Sequence, residues 1–82
     1  MRAIEWTEPA LRDLAALDKS IALRIKQSIV RFAETGAADI KKLQGLDPPE
    51  YRLRVGDWRV RFQLDGDEIR VLRIRDRKDA YR

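Results

Sequence analysis

The spacing between apolar residues changes once along this chain, and that change limits the available folds more than any other feature. Through Ala33 the apolar residues recur every three or four positions, the period of one face of a helix. From Tyr51 onward they recur at every second position, the period of a half-buried strand. The Asp47-Pro48-Pro49 step between the two regimes reads as a rigid connector. An 82-residue chain buries only roughly 60–65% of its unfolded surface, so helices and strands must share one small core. Residues 1–82 are therefore expected to form one α+β domain.

Ala3 to Trp6 is a short β-prone opening, and Thr7 has the chemistry of a helix N-cap, with Glu8 at the positive helix end and Pro9 tolerated in the first turn. Ala10, Leu11, Leu14, Ala15 and Leu17 then form one apolar stripe. Asp18 closes that helix and is placed to cap the next. From Lys19 to Thr35 the set Ile21, Ala22, Ile25, Ile29, Phe32 and Ala33 keeps helical spacing until Gly36 provides a left-handed stop. Residues 37–50 read as a loop. Tyr51, Leu53 and Val55 alternate with Arg52 and Arg54, Gly56-Asp57 turns the chain, and Trp58, Val60, Phe62 and Leu64 alternate with Arg59, Arg61 and Gln63. Asp65-Gly66 reads as a two-residue hairpin loop, which would set Phe62 opposite Ile69 and Val60 opposite Val71. The last strand breaks its alternation at Val71-Leu72, which calls for a bulge or for a central strand covered on both faces, the central strand being the simpler reading. The expected order is β-α-α-β-β-β, a small, mainly antiparallel sheet packed against a helical hairpin.

Composition removes whole classes of chemistry. The chain has no histidine and no cysteine, which excludes imidazole catalysis, thiolate nucleophiles, disulfides and zinc sites of ordinary ligation. No Gly-rich phosphate loop precedes a helix, and Asp65, Asp67 and Glu68 crowd a hairpin where turn chemistry accounts for them. Neither a cofactor nor a metal is expected. The longest apolar run, Leu14 to Leu17, falls far short of the ~20 residues that cross a bilayer, so a soluble, cytoplasmic protein with no membrane partner is expected.

Charge points the other way, toward a specific surface. The chain has 18 basic and 14 acidic residues, a net of +4, and arginine supplies 13 of the 18. Residues 50–82 hold 10 basic and 7 acidic side chains against 8 and 7 in residues 1–49, so most of the positive field lies in the strand region. Arg52, Arg54, Arg59 and Arg61 share the polar face of two adjacent strands. Such a face is either solvated or built for phosphate or carboxylate, and closely spaced like charges favour the second reading. Arg73, Arg75, Arg77 and Lys78 extend the cationic set, and Tyr81 either clamps the tail or stacks and moves protons among those cations. Lys41-Lys42, in the expected loop, reads as an ordinary solvated pair or a peripheral phosphate contact. Trp58 falls on the apolar parity and reads as core.

The run Tyr51-Arg-Leu-Arg-Val-Gly-Asp-Trp-Arg-Val-Arg-Phe, then an apolar strand and Asp76-Arg-Lys-Asp-Ala-Tyr-Arg, resembles the RelE/ParE superfamily of type II toxin–antitoxin toxins. The opening Ile4-Glu5-Trp6-Thr7, the helix with Ala10, Asp13, Leu14 and Leu17, and Lys42-Leu43-Gln44-Gly45 are similar to that family as well. The resemblance implies a compact sheet with a helical hairpin and a toxin silenced by a cognate antitoxin, with a toxin–antitoxin hetero-oligomer as the assembly. Its C-terminal pattern is most similar to the RelE branch, which implies a ribosome-dependent endoribonuclease acting on mRNA. A ParE-like inhibitor of DNA gyrase and a non-catalytic nucleic-acid or antitoxin-binding module are the alternatives.

By position, the resemblance matches Arg52, Arg54, Arg59, Arg77 and Tyr81 to the family's functional sites, which implies catalytic roles for Arg54, Arg59, Arg77 and Tyr81; with Arg52, the patch residues Arg61, Arg75 and Lys78 are expected to bind RNA. Two departures bear on proton transfer. Arg54 stands where a lysine acts as general base in the best-known branch, and a guanidinium is effectively never deprotonated. Asp76 stands where many relatives carry histidine. The implied stabilisers of phosphate charge are thus Arg54, Arg59 and Arg77, and Tyr81 is left to move the proton or stack on a base.

Overall fold

The computed structural model describes residues 1–46 and 48–76. The expected roles of Arg77, Lys78 and Tyr81 fall outside these residues, as does Asp47 of the connector. The elements are β1 (Ala3–Trp6), α1 (Glu8–Ala15), α2 (Lys19–Thr35), β2 (Ile40–Lys42), β3 (Glu50–Val55), β4 (Trp58–Asp65) and β5 (Glu68–Asp76). They form a five-stranded sheet in the order β1-β5-β4-β3-β2, antiparallel except where β1 runs parallel to β5. Among the described residues no helix is long and apolar enough to cross a membrane.

The handover from β1 to α1 turns on Thr7. Its hydroxyl oxygen accepts from the Ala10 N–H and donates to the Val71 carbonyl at 2.7 Å, so one side chain caps α1 and ties it to β5. Asp18 occupies the N-cap position of α2 but makes no side-chain capping bond. At the other end Gly36 takes φ +72° and its N–H reaches the Phe32 carbonyl, which stops the helix as its sequence suggested.

Helix α1 packs against β5, and α2 packs against β1 and β3. The core between helices and sheet joins Ala10, Leu14, Ile25, Ile29, Phe32 and Ala33 to Leu53, Val60, Phe62, Ile69, Val71 and Ile74. Phe62 lies at its centre, 5.4 Å from the Phe32 ring and 5.6 Å from that of Tyr51. Trp58 is half-buried against this core. The expected stripe on α1 is only partly buried: Leu11 is 51% exposed and Ala15 is exposed, while this short helix turns Ala10 and Leu14 into the core and Leu17, just past its end, packs beside them.

Two features differ from the sequence reading, and a third resolves an alternative that it left open. Residues 40–42, expected in a loop, form the edge strand β2. Three residues show no period, but pairing with Tyr51–Leu53 satisfies the open edge of β3, and bonds from Arg54 N–H to Asp39 and from Leu43 N–H to Glu50 extend it. The second hairpin turns one residue later than expected, at Gly66-Asp67, with Gly66 at φ +58°. Leu64 therefore faces Ile69, Phe62 faces Val71 and Val60 faces Ile74, in place of the expected Phe62–Ile69 and Val60–Val71 pairs. The broken alternation is a bulge at Leu72, between the pairs Phe62–Val71 and Arg61–Arg73, in a strand that also lies inside the sheet. The bulge returns Ile74 to the core face and sends Arg73 and Arg75 outward.

Candidate functional site

The sheet face turned away from the helices carries two cross-strand rows of cations. In the first, Arg54 stands opposite Arg59, and Arg59 opposite Arg75. In the second, Lys41, Arg52, Arg61 and Arg73 face one another in turn across four strands. A third row, Glu5, Arg70, Gln63 and Glu50, borders the second and brings acids. Directly opposed like charges destabilise a sheet, so these rows require compensation or a function.

Among the described residues, the ion pairs on this face belong to the second and third rows. Glu50 Oε1 lies 2.6 Å from Arg61 Nη2, and Arg70 meets Glu5 at 3.4 Å and Glu68 at 3.3 Å. Asp13, reaching from α1, accepts from Arg73 Nε at 2.9 Å, from Arg73 Nη2 at 3.3 Å and from the Ile74 backbone N–H at 2.8 Å. β1 pairs with β5 only as far as Val71, and the Asp13 carboxylate takes the place of a strand partner just beyond. Burial pushes the Asp13 carboxyl pKa up, but hydrogen bonds from Arg73 and Ile74 and the charges of Arg73 and Arg75 outweigh it and hold the group below its ordinary value.

The first row has no such ion pair among the described residues. Arg59 is 5% exposed, the only buried charged side chain among the described residues. Its Nη1 makes two long contacts of 3.4 Å, to the Gly56 and Trp58 carbonyls, and its Nε has no partner among the described residues. Neither Arg54 nor Arg75 forms an ion pair among the described residues. A buried guanidinium flanked by two more is costly unless it meets an anion. Beside Arg54 a cleft of about 300 Å³ opens between α2 and β3, lined by Ser28, Arg31, Ala37, Ala38, Asp39 and Leu53.

The structure thus brings together Arg52, Arg54, Arg59, Arg61 and Arg75 of the expected site. Sequence reasoning missed the acids. Glu50 was within reach, since it shares the parity of Arg52 and Arg54. Asp13 was not, because 60 residues separate it from Arg73.

The fold is an α+β sheet covered by helices on one face and lined with arginines on the other, and comparison with known proteins gives its class. Residues 4–81 match the family of the ParE toxin of type II toxin–antitoxin systems, parDE. The chain belongs to this family and is a toxin of the RelE/ParE superfamily, RelE-like in its relatives. It is 33% identical over 76 residues to Toxin RelE3 of Methanocaldococcus jannaschii, covering 87% of this chain and 85% of that one. The toxin in the RelB-RelE antitoxin-toxin complex from Methanococcus jannaschii superposes with a TM-score of 0.77 at 30% identity, covering 94% of each chain. The isolated E. coli RelE toxin shares the fold, with a TM-score of 0.75 at 19% identity over 93% of this chain and 84% of that one.

Proposed function

We propose that this toxin is a ribosome-dependent endoribonuclease that cleaves mRNA and so inhibits translation, with residues 1–82 acting as one domain and no metal or organic cofactor. The observation that carries the reading is the Arg54, Arg59, Arg75 row, centred on a buried guanidinium whose Nε lacks a partner among the described residues. The planar fork of guanidinium matches the non-bridging oxygens of a phosphodiester.

In such a cleavage the 2′-oxygen bonds to phosphorus while the bond to the 5′-oxygen breaks. A base takes the 2′-hydroxyl proton, an acid supplies a proton to the departing 5′-oxygen, and the products are a cyclic phosphate and a 5′-hydroxyl. Negative charge grows on the phosphoryl oxygens, and Arg54 and Arg59, joined by Arg77, are assigned to stabilise it. One aimed donor of this kind supplies about 2.7–4 kcal/mol in comparable oxyanion sites. Arginine does not give up its proton at working pH, so Tyr81 is assigned to proton transfer or base stacking. Arg52, Arg61, Arg75 and Lys78 are assigned to the RNA backbone. Modest acid–base chemistry suits an enzyme that relies on the ribosome to present a correctly bent message.

A cognate antitoxin is the proposed partner, with the cytoplasm as the place of action. Solved RelB-RelE complexes among the relatives support this, as does the excess of arginine on an open sheet face. The match to a family named for ParE favours a second reading, a gyrase-directed inhibitor without nuclease activity. Expression without an antitoxin, followed by mapping of mRNA 5′ ends, separates the two. Codon-periodic cuts are expected; DNA breaks with intact mRNA would select the gyrase reading, and unaffected growth a non-catalytic module.

A further inference from the structure

Lys41 and Lys42 are neighbours in sequence but not in setting. Lys41 stands opposite Arg52 and so belongs to the arginine face, whereas Lys42 stands opposite Tyr51 on the other parity. The row from Lys41 through Arg52 and Arg61 to Arg73 crosses four adjacent strands, so at ~4.8 Å per step it spans about 14 Å perpendicular to them. It runs beside the Arg54, Arg59, Arg75 row, two residues away along each of β3 and β4. Glu50 and Asp13 hold the Arg61 and Arg73 side chains, which remain 44% and 39% exposed. Lys41 and Arg52 have no ion pair among the described residues.

We propose that this second row is a track for the sugar–phosphate backbone of single-stranded RNA, and that Lys41, at the sheet edge, binds a phosphate flanking the one held at Arg59. The inference rests on the endoribonuclease reading and adds a residue and a direction to it. The chain of phosphates runs across the strands because the lengthwise route is closed. A polyanion following β3 from Arg54 past Arg52 meets Glu50 two residues later, and the row that contains Glu50 ends in Glu5 on the far strand. Crosswise, the cations continue without an opposing acid in line, from the β2 edge to the Asp13-anchored Arg73 beside α1. A regular line of cations suits a chain of phosphates better than a single anion.

The test uses the full chain and a short, fluorescently labelled single-stranded RNA made uncleavable by 2′-O-methylation, with affinity followed by anisotropy across a salt series. The plot of log affinity against log salt should lose about 0.7 of its slope in Lys41→Gln, one single-strand phosphate contact, while Lys42→Gln keeps the wild-type slope. Both substitutions are at exposed positions, and circular dichroism verifies the fold. Equal slopes in the two variants would overturn the track while leaving the nuclease reading standing. A flat salt dependence of the wild type would remove both. If polyglutamate binding depends on Lys41 while the RNA slope does not, the row serves an acidic protein partner and the proposal fails.

Discussion

Arg59 and Asp13 show how the same pairing of charge and burial can serve opposite ends. Arg59 is buried with little to hold it, whereas Asp13 anchors both an arginine and a backbone N–H. Exchanging a buried ion for an apolar side chain of similar length is often neutral or stabilising, so Arg59→Met is expected to keep or raise the melting temperature. If Arg59 stabilises the transition state, the same variant loses roughly 10²–10³-fold in cleavage rate. A variant that melts higher and still arrests growth fully would remove Arg59 from the site. Asp13 follows the opposite rule. Its folded pKa lies below the unfolded value, so its contribution to stability is complete above the unfolded value of roughly 4 and drains away as pH falls through the folded one. Asp13→Asn should cost about 1–3 kcal/mol at neutral pH and flatten the fall of melting temperature below pH ~4. For the tail, Arg77→Ala and Tyr81→Phe are each expected to relieve growth arrest with an unchanged circular dichroism spectrum. Full toxicity in both would end the catalytic reading of the tail.

At the scale of elements, the bulge in β5 decides which side chains form the site. Leu72 is the extra residue that lets Ile69, Val71 and Ile74 share the core face although their numbers do not share a parity. Deleting Leu72 would bring Arg73 directly after Val71 opposite Arg61, so the strand would alternate regularly, with Ile74 still facing the core and Arg73 and Arg75 still facing outward. The deletion variant is therefore expected to stay folded and soluble by circular dichroism, as is Leu72→Ala, which keeps the bulge. An unfolded deletion variant beside a folded Leu72→Ala would show that the sheet requires the bulge itself and not only the alternation. The hairpins offer a gentler probe. Gly56-Asp57 and Gly66-Asp67 both place glycine first in a two-residue loop, at φ +59° and +58°. Gly66→Ala has open space around the new Cβ, so its cost is conformational only, roughly 1–2 kcal/mol by chemical denaturation.

For the whole molecule, helices pack on one face of the sheet and the other carries the cations, and the apolar layer between helices and sheet provides the stability. Phe62, fully buried between the two, is where the layers meet, and Phe62→Ala should cost about 3–5 kcal/mol, enough to unfold a domain this small. If a cognate antitoxin covers the cationic face with an acidic segment, binding should abolish mRNA cleavage and stabilise the fold by about 2.7 kcal/mol at a hundredfold excess over Kd, read as a higher melting temperature. The product of the adjacent small open reading frame, mixed with this protein and followed by both readouts, supplies the measurement. A neighbour that neither binds nor protects would count against that partnership.

Local periodicity by itself determined most of this protein: β1, the Thr7 cap, both helices with the Gly36 stop, the three later strands, and the arginine face of β3 and β4. These features repeat within a few residues, so a chain read ten residues at a time contains them. The tertiary structure alone decided the rest. β2 is too short to show a period and exists because β3 has an edge to satisfy. The second hairpin and the bulge depend on which residues of β4 and β5 meet, a choice made by the packing of Phe62 and Ile74 into a common core. The separation of Lys41 from Lys42, the burial of Arg59 and the reach of Asp13 to Arg73 likewise arise only when distant strands and α1 are brought together. Side-chain alternation is local, whereas register, burial and charge pairing are relations between segments far apart in the chain.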